Sequence, residues 1–300
     1  MFLAKVFGYV LNFLYDFLGS YGIAIIAFSF LLRIILLPIT INQQKSMKKS
    51  GKLQSEMQEI QRKYKNNPEK LNQETMELYK REKMNPFSGC FSAIIQIFII
   101  LSVFWVVSSP LTHMKKVQDT EIYKEYSEKI TQSSNQRASY KEIAMINLVE
   151  SDYKEITEQL KNENIENKEE LENKKQELEK LRINMDFLGL DLSKVPTQSL
   201  NDFKVYIIPI LYVISSFVSI KLTTSAQSKK TENKQNNSEM DAMQNMSKSM
   251  NYMMPIMSVS IAAVAPLGLA LYWFISNVLM IIERTVLNKF IDSKGDEKNG

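Results

Sequence analysis

The sequence has little of what enzyme chemistry usually requires. Cys90 is its one cysteine and His113 its one histidine. A single cysteine excludes an internal disulfide framework and a cysteine-rich zinc site. Any Ser-His or Cys-His catalytic arrangement would depend on His113 alone. Because glycine-rich phosphate loops, metal-ligand clusters and paired-carboxylate sites are also missing, the sequence predicts a protein that is not an enzyme, with no catalytic residue, no metal and no cofactor.

A strong net charge is missing as well. The 37 basic and 33 acidic residues leave a formal charge of +4, which does not indicate a nucleic-acid site. Near the N-terminus there is no small-residue cleavage site, no transit peptide and no lipoprotein cysteine, so we expect neither a cleaved leader nor a lipid anchor. The mean hydropathy of -0.19 averages very apolar and very polar stretches.

Long apolar runs are the most prominent feature of the sequence. The first, at 21–41, is long enough to cross about 30 Å of hydrocarbon, and four more runs follow. They predict an all-α membrane protein: a five-transmembrane-helix core with a cytoplasmic helical hairpin, an N-terminal interfacial helix and a long charged external insertion. The predicted segments are the interfacial helix 1–20, spans at 21–41, 87–108, 203–222, 251–265 and 267–287, the hairpin 42–86, the external insertion 109–202, the cytoplasmic loop 223–250 and the cytoplasmic tail 288–300.

Basic residues in the short loops indicate the orientation. The loop 42–86 holds eleven lysines and arginines against six acids, which predicts a cytoplasmic position. The N-terminus is therefore expected outside, the C-terminus in the cytoplasm and the insertion 109–202 outside. Within that insertion, 140–182 has few apolar residues, so we expect solvated helices or partial disorder there and an accessory role.

The cytoplasmic loop has a helical pattern with a turn at Asn66-Asn67-Pro68. Its apolar stripes are Leu53, Met57, Ile60 and Tyr64 in one arm and Leu71, Met76 and Tyr79 in the other. Two interpretations stay open. The hairpin is either a charged coiled coil that only connects two spans, or a docking arm for a ribosome or targeting factor.

Arg33 is the residue that most needs an explanation, because it lies well inside the first predicted span. It is about 12 Å from the cytoplasmic end of that span at 1.5 Å per residue. A charge at such a depth costs about 2.5–3.5 kcal/mol, and no acid precedes Glu283 in the predicted spans, so Arg33 is expected to be unpaired. It either snorkels towards the headgroups or, as we favour, lines a water-filled, positively charged cavity.

Other residues are candidates for the same cavity. They are Ser29, one helical turn before Arg33, Gln96 in the second span, and Tyr272, Trp273, Ser276 and Asn277 in the fifth. A methionine cluster comprises Met240, Met243, Met246, Met250, Met253, Met254 and Met257. It predicts either a surface that accepts varied apolar partners or a packing face for a neighbouring helix.

Four groups of residues resemble the YidC/Oxa1/Alb3 family of membrane protein insertases. They are LLRIILLPIT at 31–40 with Gln43, Lys45, Ser46 and Met47; KMNP at 83–86 with Gly89, Cys90, Ile95 and Gln96; FLGLDL at 187–192; and Pro266, Gly268, LYW at 271–273, Ser276 and Asn277. The likeness covers both ends of the chain and all five predicted spans in order.

The resemblance implies an insertase and chaperone of the bacterial cell membrane that inserts nascent membrane proteins, its clients. It implies a hydrophilic, positively charged groove open to the cytoplasm and to lipid. The implied groove residues are Arg33, Ser29, Gln96, Ile97, Ile100, Tyr272 and Trp273. The implied partners are nascent clients, the Sec translocon, the ribosome, the signal-recognition machinery and the lipid bilayer, with no direct nucleic-acid site.

The chain departs from the family pattern at three points. Ser92 and Phe98 stand where prolines are common, Glu283 stands where glutamine is common, and the external insertion is long.

Two alternative functions are weaker. A small-solute transporter usually has internal repeats, which are not evident here, and a membrane scaffold gives no reason for Arg33 within a span.

Overall fold

The computed structural model describes residues 2–82, 88–133, 140–161, 167–228 and 260–296. These residues are mostly helical. The helices are α1 (Phe2–Leu18), α2 (Tyr21–Lys63), α3 (Pro68–Arg81), α4 (Ser88–Ser108), a π-helix (Leu111–Lys115), α5 (Glu121–Ser133), α6 (Lys141–Gln159), α7 (Lys168–Leu181), two 3₁₀ turns (Pro196–Gln198 and Phe203–Tyr206), α8 (Ile207–Ser228) and α9 (Leu267–Asp296). The mostly helical structure confirms the predicted fold class in general, an all-α membrane protein.

Among the described residues, three helical stretches are long and apolar enough to cross a membrane. They are Tyr21–Ser46, Phe203–Leu222 and Leu267–Asn288, with mean hydropathies of 2.5, 1.9 and 1.4. A shorter apolar helix covers Ile97–Ser108. The five-crossing core therefore stays a prediction. Most of the predicted span 251–265, the methionine cluster, most of the loop 223–250 and the motif at 83–86 lie outside the described residues.

The chain divides into two compact units. The first comprises Met1–Phe30, Ile99–Ile214 and Ile256–Ser276, and the second comprises Leu31–Phe98, Ser215–Pro255 and Asn277–Gly300. Four helices, α2, α4, α8 and α9, contribute residues to both units.

In the first unit, α5, α6 and α7 form a packed helical bundle. Its fully or nearly buried side chains are Tyr126, Ile130, Ile143, Met145, Ile146, Val149, Ile156, Leu178 and Leu181. Arg182 makes two hydrogen bonds to the Glu150 carboxylate, at 2.8 and 3.3 Å, and its guanidinium lies 3.6 Å from the centre of the Tyr153 ring. The described part of 140–182 is helical, as one of the two expectations had it, and its few apolar residues share one buried face.

A buried glutamate joins this bundle to the end of α4. The Glu142 carboxylate accepts hydrogen bonds from the backbone N–H groups of Leu111 (2.7 Å) and Thr112 (3.0 Å). It also accepts from the Thr112 hydroxyl and, at 3.0 Å, from the Tyr123 hydroxyl. Glu142 is only 5% exposed, and these donors satisfy its charge where water has little access.

A short β-hairpin covers the start of α9 in the first unit. Strands β1 (Asp186–Phe187) and β2 (Leu190–Asp191) pair antiparallel, and the two turn residues, Leu188 and Gly189, have positive φ. Helix N-termini have unpaired N–H groups. Here the N–H of Gly268 donates to the Leu192 carbonyl (2.8 Å) and that of Leu267 to the Lys194 carbonyl (2.9 Å). The FLGLDL motif thus supplies a cap for the last apolar helix.

Helix α1 also belongs to the first unit and has two different faces. Ala4, Phe7, Gly8 and Leu11 are buried, whereas Phe2, Tyr9, Phe13 and Phe17 are exposed aromatic residues. Close packing requires the glycine, because a Cβ at Gly8 would lie 2.0 Å from the His113 carbonyl oxygen. The exposed face fits the prediction of a helix that lies in a membrane interface.

The second unit contains the helical hairpin. Helix α2 continues without a break from the predicted span to Lys63, and Asn67 caps α3 by accepting a hydrogen bond from the Lys70 N–H at 3.1 Å. Arg81 forms an ion pair with Glu56 across the arms. In α3, Leu78 is buried and lies seven residues after Leu71, whereas Met76 is exposed.

Candidate functional site

Arg33 is paired in the second unit. One guanidinium nitrogen lies 3.3 Å from a carboxylate oxygen of Glu283, and the two side chains are 20% and 10% exposed. The prediction of an unpaired Arg33 is therefore wrong. The physical reason is the high cost of an uncompensated charge among apolar groups, which a carboxylate on a neighbouring helix reduces.

Thr40 holds the other side of the same carboxylate. Its hydroxyl donates to the second oxygen of Glu283. Thr40 follows Arg33 by seven residues, about two helical turns, so both side chains lie on one face of α2. We call Arg33, Thr40 and Glu283 the anion site. Pro38 lies between Arg33 and Thr40 in α2. Because proline has no N–H, one helix carbonyl is left without its usual donor.

A second polar contact in the same unit joins α8 to α9. The Asn277 side-chain amide donates to the Ser216 hydroxyl at 2.8 Å and to the Ser215 hydroxyl at 3.4 Å. Ser215, Ser216 and Ser219 are all buried. Hydrogen bonds between apolar helices stabilise their packing, typically by about 0.6 kcal/mol each in a membrane. This contact fixes the part of α9 that precedes Glu283.

Four predicted groove residues lie in the first unit. Ser29 is buried and donates to the Ile25 carbonyl of its own helix at 2.7 Å. Tyr272 is 7% exposed, and the neighbouring ring of Trp273 packs against Tyr212 with the ring centres 5.7 Å apart. Ile100 is exposed. The aromatic pair therefore joins α8 to α9, which is a packing role in this structure.

The other predicted groove residues belong to the second unit with Arg33. Ile97 is an exposed apolar residue of α4, with 55% of its side chain accessible. The side chain of Gln96 lies outside the described part of the structure. Of the six predicted residues whose side chains the structure describes, Arg33 is the one that belongs to the anion site.

The sequence interpretation missed Thr40 and the α8 serines, and it did not assign Glu283 a role. A signal was present for the serines, since Ser215 and Ser219 are one helical turn apart in an apolar run. For Glu283 the signal was its position as an acid inside a predicted span. For Thr40 the sequence contained no such signal, because its partner Glu283 is 243 residues away in the sequence.

The donors of the anion site are suited to binding a negatively charged group. Arg33 offers a permanent positive charge with planar donors that match a carboxylate, and Thr40 adds a neutral donor. The described residues contain no group of His, Cys, Asp or Glu side chains arranged to hold a metal. The lone histidine lies elsewhere, in the π-helix; burial lowers the pKa of His113, and Glu142 acts in the opposite direction.

Comparisons with known proteins place this arrangement in context. The model of the family described as "60Kd inner membrane protein" matches residues 13–294. A relative from Fusobacterium nucleatum, named "Membrane protein insertase YidC", is 42% identical over 107 residues, which is 36% of this chain and 52% of that protein. Proteins of the same name from Caldanaerobacter subterraneus (41% over 102 residues; 34% and 50%) and Cupriavidus necator (43% over 107 residues; 36% and 19%) are also similar. The matched segment thus spans about half or less of these relatives.

Proposed function

The chain belongs to the 60Kd inner membrane protein family, the family of YidC and Oxa1, and on that premise we propose that it is a membrane protein insertase and chaperone. It is a multi-pass protein of a bacterial inner membrane. In the proposed mechanism, Arg33 lies in a hydrophilic, positively charged groove open to cytoplasm and lipid. The groove receives polar, often acidic, segments of a nascent membrane protein.

The observation that carries this proposal is the arginine inside an apolar helix. Arg33 lies in the stretch Tyr21–Ser46, whose mean hydropathy is 2.5. A structural arginine would be expected at a helix end, where it can reach the headgroups. Its partial exposure and its carboxylate partner instead support a site that binds negative charge.

Physical chemistry supplies the driving force without a nucleotide or a metal. Moving a polar client segment into hydrocarbon is costly because its polar groups lose water. A groove with fixed donors replaces part of that hydration, and burial of the client's apolar residues in lipid then drives insertion. Exposed apolar residues such as Ile97 and Ile100 would contact those client segments.

The wider setting belongs to the same proposal. The chain would cross the membrane five times, with the N-terminus outside and the C-terminus in the cytoplasm. The α2–α3 hairpin would dock the ribosome or a targeting factor, and the Sec translocon would be a partner. The exposed arm α3, with its basic last turn at Lys80 and Arg81, supports this assignment of the hairpin.

Insertion by arginine variants tests the proposal. In cells depleted of their own insertase, we would follow a single-span client with an acidic external tail, whose translocation is read by protease accessibility. Arg33→Ala should reduce insertion about tenfold or more, the effect of losing about 1.4 kcal/mol of binding. Arg33→Lys should retain part of it, because the charge remains.

The control is Lys124→Ala, which removes an exposed positive charge from α5, outside the apolar helices and the hairpin. It should leave insertion of this client unchanged. Normal insertion by Arg33→Ala, at wild-type abundance, would eliminate the groove mechanism. Equal losses in the Arg33 and Lys124 variants would point to the net charge of the chain as a whole.

A further inference from the structure

The carboxylate of Glu283 occupies the site where a client's carboxylate would bind. Arg33 holds one oxygen at 3.3 Å and the Thr40 hydroxyl holds the other. Both donors that define the anion site are therefore directed at a group of the chain itself. A client carboxylate of the same geometry has to compete with it.

A second arginine lies close to this ion pair. Arg284 interacts electrostatically with both Arg33 and Glu283. Replacing Glu283 by a neutral residue would remove the competitor and one negative charge beside both arginines, so attraction for an acidic segment would increase for both reasons.

We propose that Glu283 is a specificity-determining residue: it acts as a tethered competitor at Arg33 and sets how acidic a client segment must be to enter. This inference rests on the proposed insertase function. A tethered group competes at a high effective concentration. A segment with one carboxylate is therefore held off, whereas a segment with several carboxylates displaces Glu283.

The expected effect follows from the fraction of time that Arg33 is occupied. If Glu283 pairs with Arg33 for about nine-tenths of the time, the apparent affinity for a client is about tenfold below its intrinsic value. Removing Glu283 as the competitor reverses this loss of about tenfold in apparent affinity for weakly acidic segments. Strongly acidic segments, which already displace Glu283, gain less than about twofold.

The test uses one single-span client with four versions of its external tail, carrying zero, one, two or four acidic residues. Insertion is measured in the depletion-rescue assay with the full chain, normalised to its abundance. Glu283→Gln should raise insertion of the one-acid tail about three- to tenfold and shift the dependence on tail acidity to fewer acids. Glu158→Gln, at an exposed glutamate of α6, is the matched control and should leave the dependence unchanged.

A second variant covers the case that Glu283→Gln does not accumulate. Glu283→Asp keeps every charge and shortens the side chain by one methylene, which weakens its pairing with Arg33 and Thr40 without removing a donor from the anion site. It should shift the dependence in the same direction by a smaller factor. In an Arg33→Ala background, Glu283→Gln should give no gain, because the competitor acts through Arg33.

The outcomes separate this inference from the function on which it rests. Defective insertion by Arg33→Ala together with wild-type dependence in Glu283→Gln and Glu283→Asp would overturn the tethered competitor and leave the groove in place. Reduced insertion of every tail by Glu283→Gln at normal abundance would also overturn it. Normal insertion by Arg33→Ala would remove the proposed function, and the inference with it.

Discussion

The buried carboxylate of Glu142 permits a quantitative prediction about the bundle of α5, α6 and α7. Glu142→Ala removes the acceptor of two backbone N–H groups, those of Leu111 and Thr112. A buried donor that loses its partner costs about 1–3 kcal/mol. Leu111 is fully buried, whereas Thr112 is half-buried and can recover some hydration. We therefore expect a loss of about 3 kcal/mol in the free energy that holds α6 against the π-helix.

Hydrogen exchange of the full chain in detergent measures this loss locally. A change of about 3 kcal/mol should speed exchange more than a hundredfold in peptides covering Leu111–Lys115 and Lys141–Gln159. Glu142→Gln keeps one carbonyl acceptor and should cost about half as much. Glu158→Ala, an exposed glutamate of the same helix, should change stability by less than about 0.5 kcal/mol.

The reasoning would fail if exchange in both peptides stayed within about twofold between Glu142→Ala and Glu158→Ala. That result would mean that water or another donor-acceptor arrangement replaces the carboxylate without cost. A uniform acceleration across all helices would instead show that Glu142 affects global stability. Neither outcome fits a local cap between α6 and the π-helix.

Two further predictions concern the same bundle. Burial alone would raise the pKa of Glu150, but hydrogen bonding and charge attraction from Arg182, together with Lys154, outweigh burial and lower it. These contacts therefore stabilise the fold above the unfolded value of about 4.3, and the contribution is lost as the pH falls through the lowered pKa. The difference in unfolding midpoint between wild type and Glu150→Gln in detergent should shrink below about pH 4, and a constant difference down to pH 3 would contradict it. Replacing 140–182 by a short flexible linker should leave insertion per molecule unchanged but lower the abundance of the protein, because the Glu142 cap is removed. Depletion-rescue assays with immunoblotting measure both quantities. Complete loss of insertion per molecule would refute an accessory role.

The apolar helices could be predicted from the sequence because hydropathy depends only on local composition. The predicted spans 21–41, 203–222 and 267–287 each lie within one of the three long apolar stretches. Their helices nevertheless extend beyond the predicted ends: α2 continues to Lys63 and α9 to Asp296. Hydropathy records where lipid-compatible residues stop, and a helix can continue into water when its polar residues form good helical patterns.

The bundle of α5, α6 and α7 shows how composition can mislead. The segment 140–182 is rich in charged residues, and that fraction suggested solvated helices. Yet Ile143, Ile146 and Val149 recur at three-residue spacing and are all buried. Periodicity was the better guide, because a small core needs one apolar stripe per helix rather than a high average hydrophobicity. The buried Glu142 within this stripe had no local signal, since its partners lie about 30 residues away.

The anion site illustrates what a single sequence can and cannot provide. Arg33 is conspicuous because a charge in an apolar run is expensive. The same argument applies to Glu283, the one acidic residue within the predicted spans. If each charge is costly alone, mutual pairing is the arrangement with the lowest desolvation cost, and it fixes the register of α2 against α9 in the second unit. Pairing can thus be inferred from physical chemistry alone, whereas the contribution of Thr40 depends on a helix–helix register that only the three-dimensional structure supplies.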